Sequence, residues 1–437
     1  MENLHNSINE NLFSEELCKI YPPEWLRKTA RYTGLIERER KIDSVTIFWV
    51  LALGYGVQLQ RTLAALKRVY EKGSKKKLSD SSWYDRFTPE LVAFLKACII
   101  HGIEHLGKET SRMLNHRINS FEDVLIQDST IIRLHEKLAN KWPAARVKKL
   151  AAGVKVAFLI SAVANGPKNI SLYAERTNEL KTLRIGPWIK DRILLIDLGF
   201  YKYQLFTRIQ ENGGYFVSRM KSNANPLIFS SNQVQTDGGI DIKGHYLKDI
   251  LPKLTGEALD VEIEVQFKRR CYNGKQKNDS EKFRLVAVYN VEDKEYHLYI
   301  TNISVEVLSF DDIAKLYRGR WEVELIFKEL KSRYKLDVVE TTNPRVIESF
   351  IWTAILTLLI SRFIYNIMKR LNPGKPMVRY TQLRWSTIFA EHSGDILTDI
   401  LHYLGIKRTF LTDYDVYQSQ ALDPHVNRTR FREELWS

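Results

Sequence analysis

Three acidic residues carry most of the chemical interest in this chain. Asp128 closes the short apolar run VLIQD, Asp197 closes a second continuous apolar run, RILLID, and Glu324 lies in YRGRWEVELIFKELK, Tyr317 to Lys331. Projected as one helix at about 100° per residue, Tyr317, Arg320, Glu324, Lys328 and Lys331 fall near roughly 0°, 300°, 340°, 20° and 320°, a single polar stripe. Val323, Ile326, Phe327 and Leu330 occupy about 180° to 280°, so the stripe runs beside the buried face rather than opposite it and can line a cleft. Trp321, at about 40°, is expected to pack at the margin of that cleft. Glu322 and Glu329 project to about 140° and 120°, away from the stripe, and are expected to tolerate replacement by Gln.

Taken singly, each feature has a plain explanation: a solvated helix face stitched by Arg320–Glu324 and Glu324–Lys328 pairs, and two Asp residues that cap turns at strand ends. Together they support more. If the two strands are neighbours, three carboxylates converge at one sheet edge, where like charges raise one another's pKa and resist ionisation. A hard divalent cation resolves that conflict. Mg²⁺ or Mn²⁺ takes carboxylate oxygens, and paired ions clamp the attacking and leaving oxygens of an in-line displacement at a phosphodiester.

The elements that would position these acids follow from the hydrophobic pattern. The first 120 residues read as helices, with Thr88, Pro89 and Glu90 opening one that runs towards Leu106. From residue 121 the pattern becomes strand, hairpin at Asn165-Gly166-Pro167, strand, a helix at NELKTLR, strand RILLID (192–197), a helix at YKYQLFTRIQENGG and strand YFVSRMK (215–221), a mixed sheet with helices on its faces. Residues 223–308 alternate as an antiparallel β unit with the turn-rich CYNGKQKNDSE inside it, and are expected to hold a small core of their own. Ser309, three residues before Asp312, signals a helix start near Phe310. The expected organisation is a helical region over 1–120, an α/β catalytic domain over 121–222 and 309–370, the β insertion over 223–308, and a C-terminal helical region over 371–437.

Composition fits a large soluble protein: 437 residues, 44% of them hydrophobic, with a formal charge of +14. The excess is uneven, since residues 51–200 hold 25 basic against 14 acidic side chains. Such a block suits a polyanion. The chain shows no lipidation or leader pattern, and the longest apolar run, FIWTAILTLLI, is too short to span a bilayer, so no membrane partner is expected. Three scattered Cys residues fit a reducing cytoplasm. His101, Glu104 and His105 match the zinc-peptidase pattern H-x-x-E-H, but no distal Glu ligand accompanies them and a surface helix is the expected reading.

Tyr317, Arg320, Glu324 and Lys331 are similar in type and spacing to the Tyr-Arg-Glu-Lys signature of a large family of insertion-sequence transposases of the DDE type. QDST around Asp128 and IDLGFY around Asp197 resemble that family's first and second Asp motifs, over roughly residues 79 to 370. The resemblance implies a ribonuclease H-like mixed sheet with an inserted antiparallel β subdomain and helical flanks. It also implies that Asp128, Asp197 and Glu324 hold two Mg²⁺ or Mn²⁺ ions, and that Tyr317, Arg320 and Lys331 contact DNA, with Arg219 and Lys221 tracking phosphate. The implied activity is cleavage at transposon ends and joining of the 3′-OH to target DNA by a homodimer on DNA. A DNA-binding relative that does not cut, and a nuclease that cuts without joining, are the rival readings. Residues 222–308 contain no Trp, where family members that pass through a DNA hairpin carry one, leaving Phe229, Tyr246 and Tyr272 as candidates to stack on a base.

Overall fold

Continuous apolar runs build the middle of the sheet. The computed structural model describes residues 11–38, 42–55, 62–109, 118–145, 151–164, 166–234, 242–270, 276–334, 336–337, 341–371 and 381–406. Two compact units divide the chain: Leu106–Phe327 forms one, and Met1–His105 with Lys328–Ser437 forms the other.

In the first unit, strands β1 (Asp123–Leu134), β2 (Ala152–Ser161), β3 (Gly166–Ala174), β4 (Arg192–Ile196), β5 (Tyr215–Arg219), β6 (Leu227–Val234), β7 (Ala258–Arg270), β8 (Gln276–Asn290) and β9 (Glu295–Thr301) form one sheet. Its order is β3-β2-β1-β4-β5-β9-β8-β7-β6. The first three pair antiparallel, while β4 and β5 run parallel to β1. That 3-2-1-4-5 pattern is the ribonuclease H-like fold. All ten positions of β2 are buried, and Ile193 to Ile196 of β4 are buried too, as expected of strands covered on both faces. The helix Tyr203–Glu211 supplies the crossover from β4 to β5, and Gly213, at φ +71°, lets the chain turn back into β5.

Two sequence expectations change here. VLIQD does not end at Asp128: β1 continues to Leu134, because beyond that residue it keeps pairing with β2 as far as Leu134↔Ala152. Its second half alternates in burial rather than in residue type, with Thr130 and Ile132 inside and Ile131 and Arg133 outside, so the continuous apolar run alone was too short a guide. NELKTLR yields only a 3₁₀ turn, Glu179–Lys181, opened by the Asn178 side chain accepting from the Leu180 amide.

The insertion does not keep a core to itself. β9 pairs with β5 through Val217↔Thr301 to Arg219↔Tyr299, so β6 to β9 extend the same sheet. One hydrophobic cluster runs from Leu125, Leu194 and Phe216 to Ile228, Val261, Phe283 and Leu285. β8 already starts at Gln276, so QKNDSE is strand rather than turn. Tyr272 and the Asn273-Gly274 pair lie outside the described residues.

The other unit is helical. Thr88 and Pro89 open the helix Pro89–Glu109 as expected, with the Leu91 amide 3.5 Å from the Thr88 hydroxyl. Pro344–Leu371 is long and apolar enough to cross a membrane by length and composition, yet 94% of its most apolar window is buried inside the protein. It is a core helix. Thr357 donates its hydroxyl to the Ala52 carbonyl, tying this helix to the π-helical turn Leu51–Tyr55.

Candidate active site

The parallel register brings two of the acids together. The last ladder pairs are Gln127↔Ile196 and Ile196↔Ser218, so one residue further on Asp128, Asp197 and Arg219 stand side by side on β1, after β4 and on β5. This is the carboxyl end of parallel strands, where α/β sheets place ligand sites. Asp197 opens the 3₁₀ turn Leu198–Phe200, but its side chain makes no capping hydrogen bond, so the turn does not account for its carboxylate.

The third acid arrives on a broken helix. Phe310–Arg318 starts with a full capping box between Ser309 and Asp312, and it stops at Gly319. The Gly319 and Arg320 amides bond back to the Leu316 and Tyr317 carbonyls, each at 3.0 Å and only three residues back, a tighter turn than α, before a new helix, Trp321–Ser332, begins. A single stripe from Tyr317 to Lys331 is therefore not what the chain builds. The break instead turns Arg320 towards the sheet, where Nη1 donates to Asp128 Oδ2 at 3.0 Å and Nη2 donates to Glu324 Oε1 at 2.7 Å. One guanidinium joins two of the acids.

Charge and burial explain why. Burial pushes the Asp128 carboxyl up to about 6, and the neighbouring charges of Asp197 and Glu179 push the same way, against the Ser129 amide and Arg320. Tyr317 is buried, and burial with the nearby Asp197 charge pushes its phenol up to about 12; Arg219 acts on it in the opposite sense. Its ring meets Tyr299 at 5.3 Å between centroids. Asp128, Asp197, Glu324, Arg320, Tyr317 and Arg219 thus belong to one electrostatic neighbourhood.

Lys221 follows β5, its ammonium 5.6 Å from the centre of the Tyr201 ring. Lys331 is two turns beyond Glu324 on the same helix, past the point where the chain enters the helical unit. Trp321 is 61% exposed rather than packed at a margin. His101 stacks on Trp25 at 4.0 Å and bonds the Ile20 carbonyl, and His105 Nδ1 bonds the His101 carbonyl, so these partly exposed side chains are engaged in structural contacts rather than set out as zinc ligands. Phe229 and Tyr246 are partly exposed, with the Lys282 ammonium 3.1 Å above the Phe229 ring.

Glu329 was misplaced by the single-helix projection. It is 1% exposed and paired with Arg362, itself 1% exposed, while the Tyr334 hydroxyl donates to its other oxygen at 2.9 Å. Arg362→Met should therefore cost about 3–5 kcal/mol, because it strands a buried carboxylate. Replacing Glu329 and Arg362 together by Met should recover most of that loss; chemical denaturation of both variants measures it. A single variant as stable as wild type would mean that the pair carries no weight.

Missed altogether were Ser129, Lys155 and Glu179, which surround Asp128 on its β2 side. Lys155 is 5% exposed, an unusual place for an ammonium, and only that oddity of a Lys within the apolar run Ala152–Ile160 could have marked it.

The donor set fits a hard cation. Three carboxylates offer only oxygen ligands, and Arg320 already supplies positive charge between two of them. Among the described residues, the group of His, Asp and Glu side chains whose ligand atoms all lie within 4.8 Å of one another is elsewhere, at Asp293 in the turn before β9 and Glu295 and His297 at the start of that strand.

A ribonuclease H-like sheet with acids at this edge defines a class, the metal-dependent enzymes that break phosphodiesters. A family model described as "Transposase DDE domain" matches residues 119–360, more than half of the chain, and the chain belongs to that family. It is 25% identical over 402 residues to the transposase for insertion sequence element IS231F of Bacillus thuringiensis subsp. israelensis, covering 81% of this chain and 80% of that one. With the transposase for IS1151 of Clostridium perfringens it shares 24% over 388 residues, at 83% and 80% coverage. A cryo-EM structure of piggyBac transposase in a synaptic complex with hairpin DNA aligns with a TM-score of 0.42 and 11% identity, over 95% of this chain and 86% of that one. The protein is a DDE transposase: DNA is its partner, and its chemistry uses divalent metal.

Proposed function

We propose that this transposase acts on the terminal inverted repeats of an insertion sequence, cutting at their ends and joining the freed 3′-OH to target DNA through Asp128, Asp197 and Glu324. What supports the assignment is the register that sets Asp128 beside Asp197, together with the Arg320 guanidinium held between Asp128 and Glu324. Two Mg²⁺ or Mn²⁺ ions, bound by these three side chains, would activate the attacking oxygen and offset charge on the leaving one. Arg320 then exchanges its carboxylate partners for a DNA phosphate, and Tyr317 and Arg219 border the same edge. Residues 1–120 read the terminal repeat, the basic block of 51–200 adds salt-sensitive affinity, and a homodimer holds the two ends.

The test is incubation of the protein with Mg²⁺ and a duplex carrying one element end. Appearance of a 3′-OH end and its attachment to a second duplex is the expected result. Cleavage without joining would indicate a stand-alone nuclease, and binding without cleavage an inactive relative. Arg320→Ala and Lys331→Ala should each lower the salt slope of DNA binding by about one phosphate contact. Filter binding across a salt series reads this, and an unchanged slope for either variant removes that residue from the DNA contacts.

A further inference from the structure

Asp128 is held from behind by residues that the transposition chemistry has no stated use for. The Ser129 amide donates to Asp128 Oδ1 at 2.7 Å, leaving Oδ2 to face Arg320. The Ser129 hydroxyl donates to Glu179, 3.2 Å from Oε1 and 3.1 Å from Oε2. Glu179 in turn takes the Lys155 ammonium on Oε1 at 2.7 Å, and Lys155 also donates to the Thr177 carbonyl at 2.7 Å. On its other side Glu179 borders Gly199, where an added Cβ would come 3.2 Å from Glu179 Cγ. Gly199 is two residues after Asp197. Glu179 therefore stands between the segments that carry both strand-borne acids.

A buried ammonium and a fourth carboxylate beside two acids are expensive unless their geometry is used. Apart from Lys155 and the terminal Ser161, β2 is apolar, and all ten of its positions are buried. The geometry points to Lys155, Glu179 and Ser129 as a positioning relay: Lys155 fixes Glu179, Glu179 fixes the Ser129 hydroxyl, and the anchored Ser129 amide holds Asp128 with one oxygen turned to the cation side. These are positioning residues, since they act through Asp128. The inference rests on the proposed role of Asp128 as a metal ligand, and the two can fail separately.

The experiment titrates Mn²⁺ alone into the full-length protein by calorimetry, with the melting temperature taken in the absence of divalent metal. Partners that orient a metal ligand are worth about 10- to 100-fold in metal affinity, so Ser129→Ala and Glu179→Ala should each weaken Mn²⁺ binding by at least about tenfold. Ser129→Thr, which keeps the hydroxyl, should stay within about twofold of wild type on the same scale. Because the residues act as one unit, the double Ser129→Ala/Glu179→Ala variant should be no weaker than either single one. If Ser129→Ala shifts the metal-independent melting temperature, Glu179→Gln carries the test, since its carbonyl oxygen still accepts from Ser129: its affinity should lie between wild type and Glu179→Ala. Wild-type affinity in Ser129→Ala or Glu179→Ala, equal losses in Ser129→Ala and Ser129→Thr, or fully additive losses in the double variant overturn the relay. Asp128→Asn separates the two claims. If it binds Mn²⁺ as wild type does, the metal-ligand role fails; if it loses binding while Ser129→Ala does not, the relay alone fails.

Discussion

Asp128→Asn, Asp197→Asn and Glu324→Gln should each lower metal-dependent cleavage by about 10²- to 10⁴-fold, the rate equivalent of several kcal/mol of transition-state stabilisation. The substitutions keep side-chain shape. An Asn at 128 can still accept from the Ser129 amide or from Arg320, and a Gln at 324 can still accept from Arg320, so folding and DNA binding should survive. What each loses is the negative charge that a divalent ion requires. The matched control is Glu329→Gln, in the same helix as Glu324 but buried against Arg362. It should reduce stability, seen as a lower melting temperature, while the folded fraction still cleaves. A nicking assay with purified proteins, corrected for folded fraction, compares the four. Cleavage that persists in Asp128→Asn, Asp197→Asn or Glu324→Gln removes that residue from the metal set.

The contrast between Glu324 and Glu329 also shows where sequence reading ends. Asp197 was legible because it follows a continuous apolar run that ends in a charge, a strong local signal that β4 bears out, whereas Asp128 lies inside β1, whose strand runs on to Leu134. The capping box at Ser309 was legible for the same reason, being complete within four residues. The projection from Tyr317 to Lys331 assumed one uninterrupted helix, whereas Gly319 and Arg320 form a tight turn between two helices. That break rotates the second helix relative to the first, so angles counted across it lose their meaning. Glu329, projected outwards, is buried, and Trp321, projected to a margin, is exposed. Arg320 nonetheless meets Glu324 within one helical turn, because four-residue spacing survives at the start of the second helix. Its bond to Asp128 spans 192 residues and depends on tertiary structure alone, as does the Lys155–Glu179 pair. Such contacts leave no local pattern to read.

The insertion poses the same problem on a larger scale, and it carries the second large effect. Replacing residues 223–308 by a short linker should abolish folding of the Leu106–Phe327 unit, rather than leave a catalytic domain with altered DNA handling. Strict alternation in β7 reveals that one face is buried, but not what buries it. The structure answers that: β9 completes the edge of β5, and Phe216 stacks on Phe206 at 4.3 Å and meets Phe283 of β8 at 5.5 Å. Deletion would expose the β5 edge and leave Leu194, Phe206 and Phe216 without their partners. Arg284 adds a polar tie. It donates to both oxygens of Asp260, at 2.8 and 2.5 Å, and to the carbonyls of Ile303, Ser304 and Leu308, the stretch that leads into the helix ending at Arg318. Without the insertion, that helix has lost the support that brings Tyr317 and Arg320 to the sheet. Circular dichroism and gel filtration of the deleted protein check the expectation, with aggregation or loss of the cooperative melt as the expected outcome. A monodisperse product with a cooperative transition would mean that β1 to β5 form a self-sufficient core, and the shared cluster would then be packing added onto a sheet that already holds.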